Sequence, residues 1–282
     1  NWQSQTVQNS PAEKGVRFKV SLEKKGRREV LFQKLKALPL PNEDAFSWHA
    51  VEASALEKGS HLIFETEGEQ GLSAFWYNPI LYTHARKTRA VVLVSVDTLR
   101  ADHLGCYGYA RETSPAADTL AKDGALFLNT YASSPWTLPS HVSMLTSLHG
   151  VHHHVYHDDE KMAPDLITLA DMMRSAGFMT SAFTDGGFVS RVYGFSRGFD
   201  SYQERGDGVL IHNSAELIWR EASEWLDANR EKDFFLFLHT YQPHNPYVCP
   251  HPYGPMFLEE NAGWRSIDLM GHLGGYAGIY SE

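Results

Sequence analysis

Cysteine is scarce in this chain: Cys106 and Cys249 are the only two in 282 residues. A disulfide-built scaffold is thereby excluded, while one bridge and two free thiols both stay open, and with them the redox compartment. A basic excess is also missing. Lys and Arg number 25 against 34 Asp and Glu, a formal charge of −9, and neither half of the chain carries the basic excess that phosphate binding needs. This excludes a nucleic-acid binder that works by neutralising phosphates. No apolar run approaches the roughly 18 residues of a membrane span; the longest, 90–96 and 234–238, are the size of strands. There is no internal repeat and no low-complexity tract. The sequence opens Asn1-Trp2-Gln3, without an initiator Met or a signal peptide, so its start reads as processed or trimmed. What is present is core material, 43% hydrophobic and 12% aromatic, enough for one large domain or two smaller ones.

The first 86 residues read as strands. Val16, Phe18, Val20 and Leu22 alternate with polar residues, and a Lys24-Lys25-Gly26 turn follows. Further strands are expected over 30–35, 48–51, 61–66 and 72–77, a spacing that suggests a small β-sandwich. Residues 83–89, with Arg86, Lys87 and Arg89, read as a linker. The domains are therefore expected as 1–86 and 87–282.

From Ala90 the pattern becomes α/β. Ala90 to Val96 is an apolar, β-branched run suited to a strand buried in a parallel sheet. A helix from Ser114-Pro115 to Gly124 with Leu120 and Ala121 inward, a strand over 125–130, a helix over 140–147 with Val142, Leu145 and Met144 facing in, and a helix over 166–176 follow. A strand over 178–183, an amphipathic helix over 215–226 and a buried strand over 234–238 complete the series. Alternating strands and helices predict a doubly wound sheet with its ligand site beyond the carboxyl ends of the strands.

Three polar stretches fall at such ends. Asp97 follows the first strand, where a carboxylate calls for a metal, a helix cap or a partner such as Arg100. Thr137, in Trp136-Thr137-Leu138-Pro139-Ser140-His141, stands just ahead of a helix N-terminus, where amide donors and the helix dipole favour an anion. Its hydroxyl could attack an anionic ester if a metal lowered its pKa, though a plain capping turn reads the same way. His244 follows the last strand and could protonate a leaving oxygen. His152, His153, His154 and His157 beside Asp158 and Asp159 have the composition of a metal tract without regular ligand spacing, and Gly186-Gly187 is too short a signature for a phosphate cradle.

Taken together, the strings VLVSVDTLRADHLGCYGY, TSPAADTLAKDGALFLNTYASSPWTLPSHVSMLTSLHGVHHHV, GFSRGFDSY and FLFLHTYQPHNPY resemble, in order, the sulfatase family of the alkaline phosphatase superfamily. The resemblance implies an alkaline phosphatase-like α/β enzyme that cleaves sulfate or phosphate esters at a divalent metal (Ca, Zn or Mn). Asp97 matches the first metal-binding Asp of the family's Asp-Asp pair, and Thr98 stands where the second would be. Thr137 occupies the nucleophile position, where the family has a Cys or Ser matured to formylglycine; Thr is no substrate for that maturation. His141 replaces the Arg that steadies the nucleophile, and His244 matches the active-site His of a Pro-His-x-Pro-Tyr motif. The candidate catalytic set is thus Thr137, His244, His141 and Arg100, with Asp97 and Thr137 as metal ligands.

Thr184-Asp185-Gly186-Gly187 stands in place of the family's sulfate-holding Gly-Lys-x-His, which points towards phosphodiester, phosphonate or phosphoethanolamine-transfer chemistry. A non-catalytic binding member is the remaining alternative. No Asp-His-Gly or Asp-Asn-Gly follows His244, while residues 276–282 resemble the helix before that motif. The chain is accordingly expected to be the N-terminal part of a longer enzyme, with a truncated sheet, inactive alone and weak in metal binding. The expected partners are small-molecule, glycan-linked or lipid-linked sulfate or phosphate esters, in an extracytoplasmic (periplasmic or surface) setting, with no nucleic acid.

Overall fold

A computed structural model describes residues 15–37, 49, 51–53, 56–68, 74, 76, 79, 81, 88–205, 214–244, 250 and 252–257. The chain divides into two compact units, residues 1–83 with 227–229, and residues 84–226 with 230–282.

In the first unit β1 (Gly15–Lys24), β2 (Arg27–Ala37) and β3 (His61–Glu67) form an antiparallel sheet in the order β2-β1-β3. Lys25 and Gly26, both at positive φ, make the tight turn between β1 and β2. The alternation expected of β1 holds as far as Val20. Beyond it Ser21 is buried as well as Val16, Val20 and Leu22, at a register shift whose extra residue, Leu31, lies in β2. On the sheet Phe18 and Phe64 meet the Trp76 ring edge-on at 5.4 and 5.3 Å. The described residues give this one sheet and no second sheet facing it. Most of the strands expected at 48–51 and 72–77 lie outside the described residues, and His49, Val51, Ala74 and Trp76 are not in strand conformation.

The second unit is built on β4 (Ala90–Val96), β5 (Met179–Thr184), β6 (Ser201–Glu204) and β7 (Phe234–Thr240), all parallel, in the order β4-β7-β5-β6. The helices are α1 (Pro115–Asp123), α2 (Thr137–Thr146), the one-turn α3 (Gly150–His153), α4 (Leu169–Ser175), α5 (Ser214–Asn229) and the one-turn α6 (Tyr253–Met256). From β4 the chain crosses beyond β7 to β5, and from β6 it returns to β7. Right-handed crossovers in opposite directions put their helices on opposite faces, which makes the sheet doubly wound. On one face Leu138, Val142 and Leu145 of α2 and Ala170 of α4 share a core with Ala182, Phe235 and Phe237. On the other, Ile218, Ala222 and Trp225 of α5 are buried, with Trp225 edge-on to Phe234 at 5.4 Å. Strands β5 and β7 are buried throughout, β7 through its apolar run 234–238 and β5 with Thr180, Ser181 and Thr184 buried beside its apolar residues, whereas Val92 and Val94 of β4 stay exposed.

Several local expectations need correcting. Residues 125–130 form no strand; Phe127 and Leu128 are each 71% exposed, with no ladder partner to fix them. Leu120 faces solvent, since α1 buries no residue, and Met144 is exposed on α2. Arg89 is no linker residue. Its backbone N–H and side chain both bond Asp233, at 2.7 Å each, and clamp the start of β4 to the start of β7. Helix α4 begins later than expected, where Thr168 and Asp171 close a capping box.

Candidate active site

The β4–β7 register sets the site. Val91, Leu93 and Ser95 lie opposite Phe235, Phe237 and His239, all on the face that packs under α2. The strands end together, and the Asp97 N–H donates to the Thr240 carbonyl at 3.0 Å. The chain turns away through Thr98 at φ 58°, a left-handed conformation that is rare for a β-branched residue. Thr98 is exposed and does not join the site.

Helix α2 begins at Thr137, three residues earlier than the sequence suggested. Pro139 sits in the first turn, where no N–H is needed for the helical ladder. Thr137 is therefore the first helical residue. Its hydroxyl donates to Asp97 Oδ2 at 3.0 Å. One turn on, His141 is buried; its Nδ1 lies 2.8 Å from the Thr137 carbonyl and its Nε2 2.8 Å from the Ser95 hydroxyl. A carbonyl only accepts, so Nδ1 carries the proton and Nε2 takes the Ser95 hydrogen bond.

His239 stands on β7 beneath these groups, fully buried, its ring edge-on to His141 at 5.0 Å and to Tyr241 at 4.5 Å. Its Nε2 is 3.8 Å from Asp97 Oδ2, too far for a hydrogen bond, and among the described residues neither ring nitrogen has a hydrogen-bond partner. Asp97, His141 and His239 each bring a ligand atom to within 4.8 Å of the others, and they are the one such trio among the described residues. Two imidazoles and a carboxylate are a donor set that could hold a divalent ion.

The electrostatics follow from burial. Burial works to raise the Asp97 carboxyl, but His239, the Thr137 hydroxyl and His141 outweigh it and hold the group below the usual carboxylate range. Burial, reinforced by the neighbouring His239, pushes His141 down to about 4, against the opposing pull of the Thr137 carbonyl and Asp97. The Tyr241 phenol is pushed up by burial and by the Asp97 charge, so it stays protonated. Its oxygen accepts from the Phe188 N–H at 3.2 Å, and a side chain at Gly187 would meet the Tyr241 ring at 3.0 Å, which explains a glycine there.

Asp185 ends β5. It accepts from the Ser214 and Thr240 hydroxyls at 3.0 Å each and from the Tyr241 N–H at 2.6 Å, tying α5 and the turn after β7 together. The structure thus gathers Asp97, Thr137 and His141, and adds His239 and Tyr241, which sequence reasoning passed over. Had β7 been extended by two residues in the sequence reading, its period-2 alternation would have put His239 on the α2 face. His244 packs its ring on Tyr241, centroids 5.5 Å apart, with its N–H on the Tyr241 carbonyl at 2.7 Å. Arg100 stands apart, exposed, and forks onto Asp102 at 3.0 and 2.7 Å. In the histidine tract His153 is a core residue, satisfied by Ser143 at 2.9 Å and the Val155 N–H at 3.0 Å, while His152, His154 and His157 are exposed. Cys249 and residues 245–248 lie outside the described residues, as do residues 276–282.

A doubly wound parallel sheet with a hydroxyl, a carboxylate and two imidazoles converging at its carboxyl-end crevice is the layout of an α/β enzyme. More particularly, the chain belongs to the sulfatase family, whose family model matches residues 89–267. It is 30% identical over 99 residues to an N-acetylgalactosamine-6-O-sulfatase of Bacteroides thetaiotaomicron, covering 32% of this chain and 19% of that protein. To an ulvan-active sulfatase of Formosa agariphila it is 24% identical over 153 residues, 52% of this chain and 29% of that one. The matches thus span less than a third of either relative's length. The fold is shared with a phosphonate monoester hydrolase of Agrobacterium radiobacter, at TM-score 0.54 and 19% identity over 61% of this chain and 44% of that one. Among the described residues no helix is long and apolar enough to cross a membrane.

Proposed function

We propose that the protein is a metal-dependent ester hydrolase in which Thr137 is the nucleophile. The observation that carries this reading is the Thr137 hydroxyl at the head of α2, held at 3.0 Å by the ionised Asp97 carboxylate. That hydrogen bond fixes the attacking oxygen at the strand ends. The first-turn N–H groups of α2 and the helix dipole supply donors for the oxygens of an anionic ester. A divalent ion, when bound, would lower the hydroxyl pKa and polarise the ester; Asp97 and Thr137 would hold it. His141 orients the head of α2 through the Thr137 carbonyl, and Tyr241, kept protonated, offers a further hydrogen-bond donor. His244 serves as proton donor to the leaving oxygen, and Arg100 attracts the anion from the rim.

The substrates are sulfate or phosphate esters. The named relatives favour glycan-linked sulfate. The reading further takes an extracytoplasmic setting, no nucleic acid, residues 1–86 as a β-sandwich module and residues 87–282 as the N-terminal portion of the catalytic domain. One observation favours phosphorus instead: the end of β5 presents Asp185, a carboxylate committed to Ser214, Thr240 and Tyr241, where a sulfate-holding cation would stand. Phosphodiesters, phosphonates or phosphoethanolamine transfer are then preferred. The test is Thr137→Ala assayed on aryl sulfate, phosphate and phosphodiester substrates with several metals. Turnover of all three should fall on the order of 10³-fold or more. Undiminished turnover would remove Thr137 from the mechanism, and a clear preference of the unaltered enzyme for sulfate would refute the phosphorus reading.

A further inference from the structure

Resting on the metal-dependent reading above, we infer that Asp97, His141 and His239 together form a nitrogen-rich ligand set for a divalent transition ion of the zinc type, and that the site discriminates against calcium. The sequence-level expectation of weak metal binding counted Asp97 and Thr137 alone. Tertiary structure adds two imidazoles to that count, and each is prepared for a metal by its surroundings.

His239 is fully buried, and among the described residues both ring nitrogens lack a hydrogen-bond partner. Ring nitrogens left without a hydrogen-bond partner in the interior carry a desolvation cost. Natural cores avoid this unless something else takes up the lone pair. Asp97 Oδ2, 3.8 Å from Nε2, is too distant to meet it directly, yet an ion between the two would engage both. His141 shows the complementary preparation. Its Nδ1–H is spent on the Thr137 carbonyl at 2.8 Å, which fixes the tautomer and turns the Nε2 lone pair towards the strand ends. A backbone carbonyl behind a ligating histidine is the usual second-shell device for orienting the ring and raising its basicity. That lone pair meets the Ser95 hydroxyl at 2.8 Å, a neutral donor that can rotate away.

The choice of ion follows from the donors. Two imidazoles and one carboxylate suit zinc and its first-row neighbours, which take nitrogen and oxygen at low coordination number. Calcium needs six to eight oxygens, and neither imidazole can contribute one. The nucleophile belongs to the same assembly, since Thr137 shares Asp97 Oδ2 with the proposed site.

The experiment is calorimetric titration of the chelator-treated full chain with zinc, manganese and calcium, followed by loading with cobalt(II). One zinc per chain is expected, with no calcium heat. His239→Ala and His141→Ala should each weaken zinc by at least tenfold and change the visible cobalt spectrum. Circular dichroism would check that each variant is folded. If the His239 variant does not fold, the cobalt-loaded wild type decides: histidine ligation gives hyperfine-shifted imidazole N–H resonances, and their absence overturns the inference. Zinc affinity unchanged in both histidine variants but lost in Asp97→Ala would also overturn it while leaving the metal-dependent reading intact. Calcium bound in preference to zinc would do the same. No metal bound at all, together with turnover that survives chelation, would overturn both.

Discussion

The two sheets of this chain solve the problem of charge in opposite ways. In the antiparallel sheet charged groups lie on a partly exposed face and meet across strands: Lys19 and Arg28 converge on Glu65 at 3.2 and 2.6 Å. In the parallel sheet the two middle strands are buried along their whole length, so a polar group there lies either at a strand end or under a helix. Ser95, Asp97, His239 and Asp185 occupy such positions. A surface ion pair gains little because water competes for both partners, whereas a buried carboxylate or imidazole has no such alternative and must be satisfied or used. The difference shows where chemistry can be concentrated: the parallel sheet holds a carboxylate, a hydroxyl and two imidazoles together at one end, and the antiparallel sheet spreads its charges over solvent.

The contrast can be broken most forcefully from the buried side. Phe237→Ala removes a fully buried ring from the centre of β7, beneath α2. It should destabilise the second unit by about 3–5 kcal/mol, read as a loss of the urea midpoint at unchanged slope. Next in size is a pH effect in chelator-treated protein. His141 falls from an ordinary 6.5 to about 4 on folding, so between those values the unfolded chain binds the extra proton. Its contribution is therefore complete above pH 6.5 and lost as the pH falls towards 4. The loss is at most about 3 kcal/mol, and His141→Gln should flatten that limb of the stability curve. A melting temperature independent of pH over this window would show that His141 does not titrate as argued.

Smaller effects sharpen the comparison. Thr98 holds a left-handed backbone immediately after Asp97. Thr98→Asn, which tolerates that conformation better, should stabilise by about 0.5–1 kcal/mol, measured by thermal denaturation. An equal or lower melting temperature would mean the turn is not strained. On the antiparallel sheet, Glu65→Gln should lower the melting temperature only slightly, and the loss should vanish at high salt. A large, salt-independent drop would erase the distinction drawn between the two sheets.

Much of the fold was legible because local rules and tertiary structure agree in it. The apolar runs at 90–96 and 234–238 read as strands covered on both faces, and alternation with helices implied a parallel sheet; 234–238 is so covered, while 90–96 leaves one face exposed. Asp97 and Thr137 were legible for the same reason: polar residues next to such elements mark strand ends and helix starts. Residues 125–130 misled because an apolar run reads as a strand whether or not a partner exists to bond it, and Leu120 because helical spacing does not say whether the stripe finds a surface to cover.

By itself, then, the sequence determined the sequence family, the α/β class and the residues standing at strand ends, since these depend on patterns a few residues long. Only the tertiary structure decided that His239 belongs to the site. Its position is fixed by pairing with Ser95, 144 residues away in the chain, and by the helix that covers that face. Which buried polar groups lack a partner is likewise a property of the packed interior. It depends on distances between elements remote in sequence, and no local pattern encodes them.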